Sequence, residues 1–169
     1  MAETGILSED DRVELIEGEV IEMSPIGSRH AACVRRLDAL FNQRLGGAAQ
    51  VSAQNPILID DFSQPEPDVA LLKPRPDYYA EEHPSACDVL LVVEVADTSV
   101  DYDRQVKAPL YARAGIGEMW LVNLQDDAVE VYTRPENGTY RDRKRFARGD
   151  SISLNALPGL TVGAEEILG

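Results

Sequence analysis

The chain has 169 residues, enough to bury a hydrophobic core without disulfide or metal staples, and no apolar run approaches the length of a membrane span. Two cysteines, Cys33 and Cys87, are too few for a disulfide framework; both sit in apolar stretches and read as buried, reduced thiols. Acids outnumber bases 30 to 16, a net charge of −14, which argues against a protein that is basic overall in the manner of many nucleic-acid binders.

The amino-terminal Met1-Ala2-Glu3-Thr4-Gly5 lacks the basic residues and apolar stretch of a signal peptide, so the cytoplasm is the expected address. Charge is segregated along the chain. Acids crowd Glu9, Asp10, Asp11, Glu14, Glu17, Glu19 and Glu22. Bases gather at Arg29, Arg35, Arg36 and Arg44, and again at Arg141, Arg143, Lys144, Arg145 and Arg148. A local basic face is compatible with that distribution, although the field of the whole molecule opposes it.

The first elements read as a β-hairpin, Val13-Glu14-Leu15-Ile16 and Val20-Ile21-Glu22-Met23 around a turn at Glu17-Gly18. After Ser28, Cys33 or Val34, Leu37, Leu40, Phe41 and Leu45 recur at the spacing of one helical face, and Gly46-Gly47 ends the helix. Two short strands are expected at residues 56–59 and 68–72, followed by a Pro-rich acidic loop over about 73–84. The run from Val89 to Ala96 is the most apolar of the chain. Its length and β-branched content predict a strand buried on both faces. A helix over about 102–114, ending at Gly115, and a strand at Met119-Trp120-Leu121-Val122 complete a βαβ unit with parallel strands. A hairpin over 128–133 and 140–146, turned at Asn137-Gly138, and a strand at 152–154 close the chain. With no repeat and no linker, the sequence predicts one α/β domain over residues 1–169 with added antiparallel hairpins.

Glu94 is the informative residue, a carboxylate inside the most apolar strand, on the face of Leu90, Val92 and Ala96. A buried carboxylate must be neutralised, paired with a cation or bound to a metal, and pairing with an arginine is the ordinary outcome for a single one. Asp68 opens its own apolar strand after Gln64-Pro65-Glu66-Pro67; on neighbouring strands the two acids converge. Such carboxylates about 4 Å apart repel by roughly 4 kcal/mol at an effective dielectric of 20, a penalty that a divalent cation turns into a binding site. All-oxygen ligands favour Mg²⁺ or Mn²⁺ over zinc, and His30, His83, Cys33 and Cys87 lack zinc spacing. On the next helix Asp103, Lys107 and Tyr111 lie four residues apart, so Lys107 forms either a surface pair with Asp103 or an ammonium aimed at the metal site.

The ordered set of Gln64-Pro65-Glu66-Pro67-Asp68-Val69, Leu91-Val92-Val93-Glu94-Val95, Asp103-xxx-Lys107-xxx-Tyr111 and Gly115-Ile116-Gly117-Glu118-Met119-Trp120-Leu121-Val122 resembles the Uma family of restriction-endonuclease-like domains, within the PD-(D/E)XK nuclease superfamily. Glu14-Leu15-Ile16-Glu17-Gly18-Glu19 and Pro158-Gly159-Leu160 extend the likeness over almost the whole chain. The resemblance implies an α/β (α+β) fold: a mixed sheet with a central βαβ unit, flanking helices and antiparallel hairpins. It implies an endonuclease that hydrolyses DNA with Mg²⁺ or Mn²⁺. Asp68 and Glu94 would hold the metal, with the backbone carbonyl of Val95 as a further ligand, and Lys107 would serve the attacking water. The motif lysine is expected two positions after Glu94, where this chain has Ala96; Lys107 takes its role from the helix. Glu19 matches an accessory acid of the opening hairpin, and His30, near the start of the first helix, is a weaker candidate left outside the catalytic set. Two departures stand out: Pro109, which should kink the helix beside Lys107, and the extra acid Asp97. Restriction-type folds often pair, so a homodimer is expected. The alternatives are a catalytically silent nuclease-fold module that works through protein partners, favoured by the charge of −14 and by Pro109, and a hydrolase of small phosphorylated molecules.

Overall fold

A computed structural model describes residues 11–169; the acids Glu9 and Asp10 and the amino-terminal segment discussed above lie outside the described residues. Strands β1 (Val13–Ile16) and β2 (Glu19–Glu22) form the opening antiparallel hairpin. Helix α1 (Ser28–Arg44) follows, with Gly27 rather than Ser28 at its N-cap, and buries Cys33, Val34, Leu37 and Phe41 along one stripe. Gly46 and Gly47 turn the chain out of it at φ 54° and 87°, a region that side chains resist.

A six-stranded mixed sheet is the centre of the fold. It comprises β3 (Gln50–Ala53), β4 (Val69–Leu72), β5 (Val89–Ala96), β6 (Glu118–Asn123), β7 (Ala128–Glu136) and β8 (Thr139–Ala147), in the order β3-β4-β5-β6-β7-β8. Only β5 and β6 are parallel, with Val92 opposite Met119 and Ala96 opposite Asn123; every other pair in this sheet is antiparallel. The crossover between them is helical: α2 (Val100–Tyr102), a π-helical turn over Asp103–Lys107, and α3 (Ala108–Arg113). The βαβ expectation is met. A small β9–β10 pair (Ser151–Ser153, Thr161–Gly163) and the short helix α4 (Ala164–Leu168) complete the described chain.

Side-chain alternation splits the core into two layers. Leu91, Val93 and Val95 face α1 and α4, where Trp120 meets Phe41 at 6.0 Å between ring centroids. Val92 and Ala96 face the crossover helix with Ala108, Tyr111 and Leu121. Glu94 belongs to this second face.

Several expectations are corrected. The strand beside β4 is Gln50–Ala53; residues 56–59 form only isolated bridges, since Pro56 has no N–H to donate and Leu58 and Asp60 pair singly with Ser85 and Ser63. Pro109 does not kink a regular helix: it sits in the first turn of α3, and the wider π turn before it, closed by the Ala108 N–H to the Asp103 carbonyl, absorbs the missing donor. Cys33 is buried as expected, but Cys87 is exposed, in a short 3-10 turn at Ala86–Asp88 before β5. Asn137-Gly138 does turn the last hairpin, with φ of 53° and 78°, the values of a type I′ turn. Among the described residues no helix is long and apolar enough to cross a membrane.

Candidate active site

At the carboxyl end of β5, β4 stops one residue short of Asp68 while β5 runs on. The β4–β5 register sets Val69 opposite Val93; one step further brings Asp68 beside Glu94, on the same face of the sheet. Pro65 and Pro67 stiffen the approach. Asp68 is locked in place: its Oδ2 accepts the Val95 N–H at 2.9 Å and pairs with His30 Nε2 at 3.0 Å, and Gln54 Nε2 donates to Oδ1 at 3.4 Å. His30, in the first turn of α1, comes in from the opposite layer. The hydrogen bond to Asp68 raises its pKa, against the lowering effect of burial.

Glu94 is 3% exposed. Its Oε1 accepts from Lys107 Nζ at 3.1 Å and Tyr111 OH at 2.6 Å. Burial pushes its carboxyl up to about 8, with Asp103 and Asp68 adding to the shift and Lys107 and the Tyr111 hydroxyl opposing it. Lys107 is equally buried, and its Nζ also meets Glu14 Oε2 at 3.0 Å. Burial alone would strip its proton; the carboxylates of Glu94 and Glu14 outweigh that and raise its pKa, so the ammonium persists. Asp103, pushed up to about 6 by burial, accepts the Ser99 hydroxyl at 2.8 Å. Lys107 and Tyr111 thus converge on Glu94 as the helix-face spacing suggested, while Asp103 turns to Ser99.

These groups line a cavity of about 530 Å³ whose wall includes Arg12, Glu14, His30, Asp68, Glu94, Val95, Tyr102, Asp103 and Lys107. Glu19 is absent from that wall and exposed; Glu14 reaches the site in its stead. In the β1–β2 pairing Glu19 lies opposite Ile16, at the far end of the hairpin from the pair of Glu14 with Ile21. The signal for Glu14 was present, a carboxylate alternating with buried Ile16 on the inward face of β1. Tyr102 gave none, and His30 was only a weaker candidate near the start of the first helix. Ala96 is fully buried on the Glu94 face, and the ammonium its position lacks comes from Lys107. Among the described residues no group of three or more His, Cys, Asp and Glu side chains is arranged to hold a metal ion. A site with two carboxylates and the rest of its shell from backbone and water, the habit of Mg²⁺, does not require such a group.

With this geometry in view, comparison with known proteins is informative. The family Uma2, described as "Putative restriction endonuclease", matches residues 3–165. The chain belongs to the Uma2 family. Among solved structures, this Uma2 chain is similar to "a putative nuclease belonging to DUF820" from Anabaena variabilis, with a TM-score of 0.77 at 16% identity, covering 98% of this chain and 94% of that one. At that identity the likeness establishes the fold. No curated protein matches. Family and fold indicate a restriction-endonuclease-like nuclease.

Proposed function

We propose that this protein is a Mg²⁺- or Mn²⁺-dependent hydrolase of DNA phosphodiesters, with Asp68 and Glu94 as metal ligands and Lys107 as the cation that serves the reaction. The observation that carries the reading is the set of three groups at one sheet end: Asp68 fixed to the Val95 N–H, Glu94 buried at the next register position, and Lys107 at 3.1 Å from Glu94. The donor set fits a hard cation. Two carboxylates face one side, and an extended residue directs its N–H and C=O to the same strand edge, so the Val95 carbonyl turns towards Asp68 as well. A bound ion would supply Lewis-acid charge at the phosphate. The chain's own residues do the remainder. Asp68 is held in one rotamer by three donors, so it needs no reordering when the substrate arrives. Lys107 keeps its proton, orients the attacking water and meets the negative charge that builds on the phosphoryl oxygens. Tyr111 holds Glu94 in place from below.

The experiment is cleavage of labelled DNA with Mn²⁺ by the parent protein and by Asp68→Asn, Glu94→Gln and Lys107→Met. Loss of cleavage in all three, with folding retained, supports the assignment; undiminished cleavage in any folded variant removes that residue from it. A second reading is a catalytically silent module that acts through protein partners. The net charge of −14 and the closure of Glu94 by Lys107 and Tyr111 favour it. Calorimetry decides: heat of Mg²⁺ or Mn²⁺ binding at millimolar metal or below supports the hydrolase, and none supports the module. A cytoplasmic homodimer is part of the leading proposal, and sedimentation of the purified protein tests its oligomeric state.

A further inference from the structure

The cavity says more than where the acids sit. Its floor is the set of charged side chains, all nearly inaccessible: Asp68 is 8% exposed, Glu94 3% and Lys107 4%. One wall is apolar and open to solvent, formed by Ile21, Met23, Pro25 and Ile26, the last 41% exposed. Tyr102, also lining the cavity, buries a hydroxyl with no hydrogen-bond partner among the described residues, and His30 Nδ1 is likewise buried without one among them. The rim carries Glu22, Glu66 and Asp97, with Arg12 as the exposed cation among the lining residues.

We propose that this cavity takes a nucleotide of an unpaired DNA strand, seating its base on the Ile26 wall and its phosphate over the buried acids. The proposal rests on the hydrolase reading for the identity of the phosphate's destination. Three physical points support it. A volume of about 530 Å³ falls among pockets that enclose one small molecule, roughly 300–1,000 Å³, which admits a nucleotide and not a double helix. An apolar wall facing water gains by covering a base, and a duplex keeps its base faces stacked inside, whereas a single strand presents them. The acidic rim repels phosphate, and a duplex brings one charge per roughly 1.7 Å of axis to that rim, where a single strand brings fewer.

The test separates binding from turnover. A short labelled oligonucleotide, alone or annealed to its complement, is titrated with the full chain by fluorescence anisotropy in Ca²⁺. The single strand is expected to bind at least about tenfold more tightly than the duplex. Ile26→Ser should abolish that preference, and Phe62→Ser, a still more exposed apolar position that does not line the cavity, should preserve it. Equal or tighter duplex binding, an unaltered preference in Ile26→Ser, or no binding of either form would overturn the proposal. The same oligonucleotides with Mn²⁺ then distinguish the two readings. Strand binding without cleavage retires the hydrolase and leaves the nucleotide site standing; cleavage of duplex alone retires the nucleotide site and leaves the hydrolase.

Discussion

Glu94 carries a cost that depends on pH. Its carboxyl ionises near 4.5 when exposed but is held up to about 8 in the fold, first by burial. Between those values the folded state keeps a proton that the unfolded state has lost. Its contribution to stability is therefore fully present below pH 4.5 and declines as pH rises through 8, by at most about 1.4 kcal/mol per pH unit. Glu94→Gln removes that slope and leaves Lys107 its contact with Glu14. In EDTA, the variant's stability relative to the parent should rise between pH 5 and pH 8, read by urea unfolding; an unchanged difference would show that Glu94 does not titrate in this range. His30 invites a second substitution. It donates to Asp68 from a different layer of the fold and so sets the carboxylate's angle. His30→Ala should weaken Mn²⁺ binding by about 10–100-fold, as loss of an orienting partner does, with the fold intact by circular dichroism. Calorimetry giving an affinity within twofold of the parent would reduce His30 to a packing residue. Glu94 stood out as a carboxylate inside an apolar strand, Asp68 as the acid that opens one, and Lys107 by its four-residue spacing from Asp103 and Tyr111. His30 was no more than a weaker candidate, since a histidine near a helix start looks the same whether it faces solvent or another strand's aspartate, and only the packing of α1 across β4 and β5 decides.

At the scale of elements, the apolar runs foretold β5 and β6 and their parallel pairing, because a strand buried on both faces leaves little choice of residue. The β3 position escaped. Gln50–Ala53 is half-buried and polar at alternate positions, whereas residues 56–59 contain the more apolar letters but begin with a proline that cannot join a ladder. The crossover helix is the element that brings Lys107 and Tyr111 to Glu94. Its π turn lets Lys107 and Tyr111 reach the same Glu94 oxygen, and Pro109 sustains the turn because an α-helical path would set its ring against the carbonyl of Gln105. Arg104, in the same turn, is fastened to buried Glu130, which also takes Arg143 at 2.9 Å and the Tyr132 hydroxyl at 2.6 Å. Pro109→Ala gives back the N–H and permits a regular helix that rotates Lys107 off Glu94. The expected result is a loss of Mn²⁺-dependent cleavage out of proportion to any change in Tm. Cleavage at the parental rate would mean that the Glu130 clamp alone maintains the turn.

The whole molecule sets the terms on which a polyanion approaches. At −14 it repels nucleic acid at long range, and the basic stretch foreseen near the carboxyl end does not offset this. Arg141 pairs with Glu136, Arg143 with Glu130, Arg148 with Asp127, and Arg145 donates to the Asp126 carbonyl. Sequence counted those cations but could not show that folding commits them to local partners. At the proposed nucleotide site, contact with phosphate falls to the two cations lining the cavity, Arg12, exposed and donating to the Ser24 carbonyl at 3.3 Å, and Lys107. Each phosphate neutralised on a single strand adds about −0.7 to the slope of log affinity against log salt, so these two give a slope of about −1.4. Arg12→Ala should halve it and weaken binding at low salt while leaving affinity at high salt almost unchanged, since only the counterion-release part is removed. Anisotropy titrations across a KCl series at fixed Ca²⁺ measure both. A slope steeper than about −4, or one indifferent to Arg12, would move the nucleic-acid contact off this cavity and onto a larger basic surface, with the β8 arginines released from their acid partners as the first place to look.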